Sequence, residues 1–191
     1  MLVVDCCIRG EDSATRRYYQ AYLKTVPQTE TELVELEKLG LEPLNRETLA
    51  RRDQLCARRA FDHGMFRLAR QFRDADEILI AAPFWDLSFP SLLKVYLEHV
   101  SVSGLTFGYT QDGRCVGHCK AGKLLYFSTC GGFAGENLGF AYVKALAAML
   151  GIERSEAYVL EGLDLDPARR EAVLEAGIAA LNTRESSTGA G

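Results

Sequence analysis

The chain has 191 residues, 48% of them apolar and 25% charged, with a formal charge of −4 and a pI near 5.5. That length and balance suit one globular domain with a substantial core. The acidic balance argues against a nucleic-acid surface, which needs clustered Lys and Arg, and no run approaches the roughly 20 apolar residues of a membrane helix, so a small-molecule partner is expected.

The opening residues, MLVVDCC, carry neither a basic leader nor an apolar stretch of signal-peptide length, and the protein is read as cytoplasmic. Six cysteines (6, 7, 56, 115, 119 and 130) form no C-x-x-C pair and are too sparse for a disulfide scaffold, so reduced thiols are expected. Cys115, His118 and Cys119 would offer three zinc ligands, but their spacing is not that of a zinc knuckle and a fourth is not evident. No metal is expected, and His118 reads as a surface residue.

Residues 2 to 6 form a buried strand candidate. CCIRGEDSATRR (6–17) follows, a Gly-containing turn that runs into a helix over 13–25, capped by Ser13 and ended before Pro27. A strand, such a turn and a hydroxyl-rich helix start suit an anion, because free N–H groups converge there and the helix dipole adds positive potential. Glu11 and Asp12 lie in the same turn, so a phosphate requires both to point to solvent, with Arg9 and Arg16 offsetting them.

Residues 32 to 37 alternate like a half-exposed strand. Asn45 to Phe72 reads as one long helix with Leu49, Leu55, Ala60, Met65, Leu68 and Phe72 on its apolar side. ADEILIAAP (75–83) is the clearest buried parallel strand. Pro90 opens a helix that carries Leu92, Leu93, Tyr96 and Leu97. LTFGYTQDGRCVG (105–117), with Asp112-Gly113 at its centre, reads as a hairpin. KLLYFST (123–129) is a strand, followed by glycines and a helix from about Glu136 to Leu150. A last strand near Ala157 to Leu160 precedes a helix begun by Asp166-Pro167. The domain is placed at 1–183, and the polar tail at 184–191 is expected to be disordered.

Five β units joined by helices make an open, doubly wound parallel sheet the economical fold, and ligands of such sheets bind beyond the carboxyl ends of the strands. Three loops then share one crevice: Cys6 to Thr15, Pro83 to Phe89 and Ser128 to Gly135. The first offers N–H groups and the hydroxyls of Ser13 and Thr15 to a phosphate. The second offers Phe84 and Trp85 to a flat ring. The third offers Thr129 and two glycines that let backbone pass close to that ring. Singly, these features are also a helix cap, a core aromatic and a plain turn; together they describe one ligand.

At this point the sequence resembles the flavodoxin-like NAD(P)H-dependent quinone reductases and FMN-dependent azoreductases. The resemblance is carried by ADEILIAAPFWDLSFPSLLKVYLEHV, GLTFGYTQDG and GKLLYFSTCGG, in the family's order and spacing, including the P-x6-P-x2-LK arrangement of Pro83, Pro90, Leu93 and Lys94. It implies an α/β flavodoxin-like fold with a five-stranded parallel sheet, order 2-1-3-4-5, and a hairpin inserted after the third βα unit. It implies FMN as cofactor, with Ser13, Ala14 and Thr15 at its phosphate and Phe84, Trp85, Asp86 and Leu87 along its isoalloxazine. Thr129, Cys130, Gly131 and Gly132 would meet its pyrimidine end. Phe107 and Tyr109, with Trp85, would border a substrate pocket near the partner of a homodimer. NADH or NADPH would reduce the flavin and a quinone or azo compound would reoxidise it, in ping-pong order. The flavin carries the chemistry, so no side chain is assigned a catalytic role. The resemblance also implies that a backbone N–H near Asp86 or Leu87 faces N5 and that the Gly131 and Gly132 amides face the N1/O2 edge. The chain departs from the pattern at Cys6 and Cys7, where relatives commonly have serine, and at Cys130, which replaces a bulkier polar residue.

Two rival readings fare worse. A tyrosine-phosphatase loop, C-x5-R-[ST], needs arginine six positions after its cysteine, where Cys7 has Ser13 and Cys6 has Asp12; a thiolate facing Glu11 and Asp12 would also have its pKa raised. A flavodoxin-type electron carrier without a small-molecule substrate is the stronger alternative. Such carriers are typically more acidic than this chain, and the aromatic hairpin is better suited to a substrate pocket.

Overall fold

The computed structural model describes residues 1–26 and 30–188, with side chains as far as Leu181. Strand β1 (Leu2–Asp5) leads through a 3-10 turn (Gly10–Asp12) to α1 (Ala14–Thr25). β2 (Glu32–Glu35) runs into a second 3-10 turn (Leu36–Leu39), followed by α2 (Arg46–Ala57), α3 (Arg67–Asp74), β3 (Glu77–Ala81) and α4 (Ser91–Val100). A short ribbon, β4 (Phe107–Tyr109) and β5 (Cys115–Gly117), precedes β6 (Lys123–Thr129), α5 (Leu138–Met149), β7 (Ser155–Leu160) and α6 (Arg170–Thr188). Pro27, expected to stop the first helix, lies outside the described residues. α6 takes in Arg184 to Thr188 of the expected tail; residues 189–191 lie outside the description.

The main sheet has five parallel strands in the order β2-β1-β3-β6-β7, which is 2-1-3-4-5 once the ribbon strands are set aside. Its register sets Asp5, Ala81, Phe127 and Tyr158 in one row. The loops that follow these strands therefore open side by side at one edge, as the parallel topology requires.

Alternating residues feed opposite faces of the sheet. Leu2, Val4, Ile78, Ile80, Leu124 and Tyr126 face α3, α4 and α5, meeting Phe72, Tyr96, Leu97 and Val143. Val3, Leu79, Ala81, Leu125 and Phe127 face α1 and α6, meeting Tyr18, Tyr22, Leu174 and Leu181. On that second face Phe127 stacks on Tyr158 with ring centroids 4.6 Å apart, and Tyr18 meets the edge of Phe127 at 5.4 Å.

The long helix expected over Asn45–Phe72 is two helices. Arg59 takes a left-handed φ of 53°, His63 Nδ1 accepts from Met65 N at 3.1 Å, and a 3-10 turn starts at Gly64. Arg70 donates to the carbonyls of Phe61 and His63, holding the break closed. Continuous apolar periodicity misled because Phe61, Met65 and Phe66 pack as a separate cluster with Val102 and Leu105, not along one helix face. The ribbon pairs antiparallel, Phe107 opposite Gly117 and Tyr109 opposite Cys115. It sits tightly on the end of α5, where a Cβ on Gly117 would lie 2.0 Å from Gly151 N.

Candidate functional site

The turn after β1 is built on a buried charge cluster. Asp5, whose side chain is wholly buried, accepts Cys7 N at 2.7 Å on Oδ1 and the Tyr19 hydroxyl at 2.8 Å on Oδ2. Arg16 Nε lies 2.8 Å from the same Oδ2. The other guanidinium nitrogens reach Glu11 and Glu35, each at 3.2 Å. Arg16 thus ties the 3-10 turn, β1 and β2 together. Burial, followed by the Asp5 charge, pushes the Tyr19 phenol above its ordinary range and keeps it neutral.

The offset expected from Arg16 is consequently spent mainly inside the fold. Of the two acids in the turn, Glu11 is 84% exposed at its side chain, whereas Asp12 lines the cleft described below. The Cys6 thiol is pushed up to about 12, first by burial and to a lesser degree by Asp5, with a Leu93 backbone hydrogen bond opposing. Cys7 is driven higher still, by burial and then Asp5. The rise has this cause rather than Glu11 and Asp12, and neither thiol ionises near neutral pH.

Ser13 caps α1: its Oγ accepts Arg16 N at 3.3 Å, and its hydroxyl stands within hydrogen-bonding reach of the Cys7 sulfur. Thr15 is fully buried, its Oγ1 2.7 Å from Thr129 Oγ1, so the first and fourth strand-end loops meet through two hydroxyls. After β3, Phe84 N donates to Thr129 O at 3.0 Å. Reciprocal bonds between Trp85 and Ser88, 3.1 and 2.7 Å, close a two-residue turn centred on Asp86 (φ 49°) and Leu87 (φ 64°). Left-handed backbone at two non-glycine residues costs on the order of 1–3 kcal/mol each, and such strain gathers at ligand sites. Here the turn is held from outside by Leu138 N, which donates to Leu87 O at 3.0 Å.

One cleft joins these loops. Its walls are Ser13, Ala14 and Thr15 from the first, Phe84 and Trp85 from the second, and Thr129, Cys130 and Gly131 from the third. Its enclosed volume is about 110 Å³, below the roughly 300–1,000 Å³ of pockets that enclose a small molecule, so a ligand of that size would lie largely in its open mouth. The N–H groups of Ala14 and Thr15 belong to the first turn of α1, where no helical carbonyl serves them. Trp85 is 42% exposed, leaving ring surface for a planar ligand. A phosphate at the helix start and an aromatic head beside Trp85 fit the residues present.

The other predicted site residues lie elsewhere. Asp86 and Leu87 are exposed at the tip of the strained turn, outside the cleft walls, and Gly132 adjoins the cleft with open space around its α-carbon. A Cβ on Gly131 would lie 2.4 Å from Asp164 Oδ2, so the Asp164 side chain also leaves no room for one. Phe107 and Tyr109 form an edge-to-face pair 5.8 Å apart on the ribbon; Phe107 packs against the main core and Tyr109 borders a separate depression with His118. Sequence reasoning gave Arg16 only a charge-offsetting role and missed Asp5, Leu163, Asp164 and Arg170. The last three follow β7, whose carboxyl end opens at the same sheet edge, and the charged run Asp164-Leu165-Asp166 after that strand was the available signal.

Comparison with known proteins agrees with this architecture. A family model for the flavodoxin-like fold matches residues 1–184, and the chain belongs to that family. An FMN-dependent NADH:quinone oxidoreductase of Clostridium perfringens is 32% identical over 164 residues, 84% of this chain and 82% of that protein. A second protein of that name, from Clostridium acetobutylicum, is 39% identical over 110 residues, 54% of each chain. Among solved structures, an FMN-dependent NADH-azoreductase of Bacillus anthracis in complex with FMN superimposes with a TM-score of 0.79 at 21% identity, covering 98% of this chain and 97% of that one.

Proposed function

We propose that this protein is an FMN-dependent oxidoreductase that takes hydride from NADH and delivers it to quinone or azo acceptors in a ping-pong cycle. The observation that carries the reading is the single cleft joining Ser13, Trp85 and Gly131 from three separated loops. The curated relatives are named as FMN-dependent NADH:quinone oxidoreductases, and the Bacillus anthracis structure as an FMN-dependent NADH-azoreductase, which supports these choices of cofactor, reductant and acceptor.

Bound FMN supplies the two-electron chemistry. The chain's own residues bind and orient. The Ala14 and Thr15 N–H groups and the Ser13 hydroxyl hold the phosphate, aided by the dipole of α1. Phe84 and Trp85 flank the ring, and the Asp86–Leu87 turn presents backbone donors at its edge. The Gly131 and Gly132 N–H groups would serve the opposite edge, where fixed donors favour developing negative charge, since Cys130 N is taken by Leu160 O at 2.8 Å. We read the β4–β5 ribbon as an insertion after the third βα unit that brings Phe107 and Tyr109 toward a second subunit. Exposed Leu87, Tyr109, Phe133 and Leu138 favour a homodimer that covers this end of the molecule. A cytoplasmic location fits the free thiols.

The test is a visible spectrum of the purified protein, with FMN added if it is colourless, followed by anaerobic mixing with NADH. Bleaching of the flavin band, reversed by a quinone, is the expected result. No FMN binding would refute the reading. Reduction by a partner protein but not by NADH would establish the electron carrier instead.

A further inference from the structure

The loop after β7 gives the cleft a fourth wall. Three backbone bonds zip it to the glycine loop: Gly162 N to Gly132 O at 2.9 Å, Leu163 N to Cys130 O at 3.2 Å and Asp164 N to Gly131 O at 2.7 Å. Asp164 lies directly over the α-carbon of Gly131, and its Oδ1 accepts from Arg170 NH1. Asp164 and Arg170 both line the cleft together with Ser13 and Ala14. The guanidinium is thus anchored, through one carboxylate, to backbone that the sheet fixes.

Its position relative to α1 follows from its neighbour. Glu171 makes an ion pair with Arg17, in the first turn of α1, so the start of α6 stands beside the start of α1. Arg170 thus shares the cleft lining with Gly131 and with Ser13, Ala14 and Thr15 at the start of α1. The basic residues at the start of α1 are committed, Arg16 to Asp5, Glu11 and Glu35 and Arg17 to Glu171. Asp12 and Asp164 oppose Arg9 and Arg170 among the cleft walls, so side-chain charge roughly cancels there. A dianionic phosphate then depends on directed donors. Arg170 has five N–H groups in a planar fork and uses NH1 on Asp164, leaving donors that suit a phosphate.

We propose that Arg170 binds the terminal phosphate of the flavin cofactor opposite the N-terminus of α1, oriented by Asp164, and so makes the site selective for FMN over riboflavin. This inference rests on the FMN reading. It names a contact from the first residue of α6 that binding at the start of α1 alone does not require.

Titration of the apo-protein with FMN and, separately, riboflavin, followed by quenching of flavin fluorescence, tests it. Arg170→Met should weaken FMN binding roughly 10- to 100-fold, the range of a charge-assisted hydrogen bond, and leave riboflavin binding unchanged. Arg170→Lys, which keeps the charge and loses the fork, should fall between. Unchanged thermal melting of the variants checks that the fold survives. Equal loss for both flavins, or no loss for either, would overturn the proposal. Wild-type protein that binds FMN no better than riboflavin would overturn the phosphate contact and leave the flavin reading standing, whereas failure to bind either flavin would remove both.

Discussion

Thr15 Oγ1 and Thr129 Oγ1 lie 2.7 Å apart, joining the first turn of α1 to the end of β6 across 114 residues of sequence. Both side chains are buried, so each hydroxyl depends on the other. Thr15→Val or Thr129→Val should each destabilise the protein by about 1–3 kcal/mol, because the surviving hydroxyl loses its partner away from water. The double variant should recover part of that cost. Urea unfolding of the four proteins gives the coupling energy, and additive losses would show that the two hydroxyls act independently.

Arg16 and Asp5 form the charge pair beneath the same turn, with side chains 9% and 0% exposed. Arg16→Met should cost about 3–5 kcal/mol, since it leaves a buried carboxylate uncompensated. Substituting both partners by apolar residues should be milder. A loss below about 1 kcal/mol for Arg16→Met, the range of exposed pairs, would mean that Cys7 N and Tyr19 alone suffice for Asp5.

The two glycines after β6 should respond differently to alanine. Gly131→Ala sets a methyl against the Asp164 carboxylate, displacing the loop whose Asp164 holds Arg170, and should weaken flavin binding at least tenfold if the loop shifts by an ångström, the scale at which directed contacts fail. Gly132→Ala meets nothing within 4 Å at an ordinary φ and should bind flavin like the parent. Equal affinities of the two variants would show that Asp164 yields without consequence.

The Cys6 thiol carries a pH signature. Its pKa is raised from 9.0 to about 12 in the folded protein, so between these values the unfolded chain releases the proton and the native state keeps it. Stability from this group is complete below about pH 9 and falls as pH rises toward 12. Unfolding free energies at pH 8, 9.5 and 11 should decline less steeply for Cys6→Ala than for the parent. Parallel slopes would count against a buried neutral thiol. At pH 8, Ellman's reagent should modify exposed Cys115 and spare Cys6, Cys7 and Cys130 in the folded protein.

Much of the architecture is written in local pattern. EILIA (77–81) and KLLYFST (123–129) are apolar runs that only a strand buried on both faces accommodates, and they appear as β3 and β6. Ser13 announces the start of α1 because its side chain can serve a first-turn N–H within four residues. These interactions lie within a few residues of one another, and parallel connectivity then brings Ser13, Trp85 and Gly131 to one edge. The break between α2 and α3 was hidden because the apolar spacing continues through Phe61 and Met65 while those side chains turn to another cluster.

What the sequence by itself determined is the set of strands, caps and turns and, through their order, the edge of the sheet where a ligand belongs. Only the tertiary structure decided which charges meet there. Arg16 reads in the sequence as an offset to Glu11 and Asp12 but is taken mainly by Asp5 and Glu35, whereas Arg170, 154 residues beyond it, reaches the cleft beside Asp164. Periodicity and capping act over one or two turns of chain and can be read there; ion pairs are set by distances across space, which register and packing fix only when the whole chain has folded.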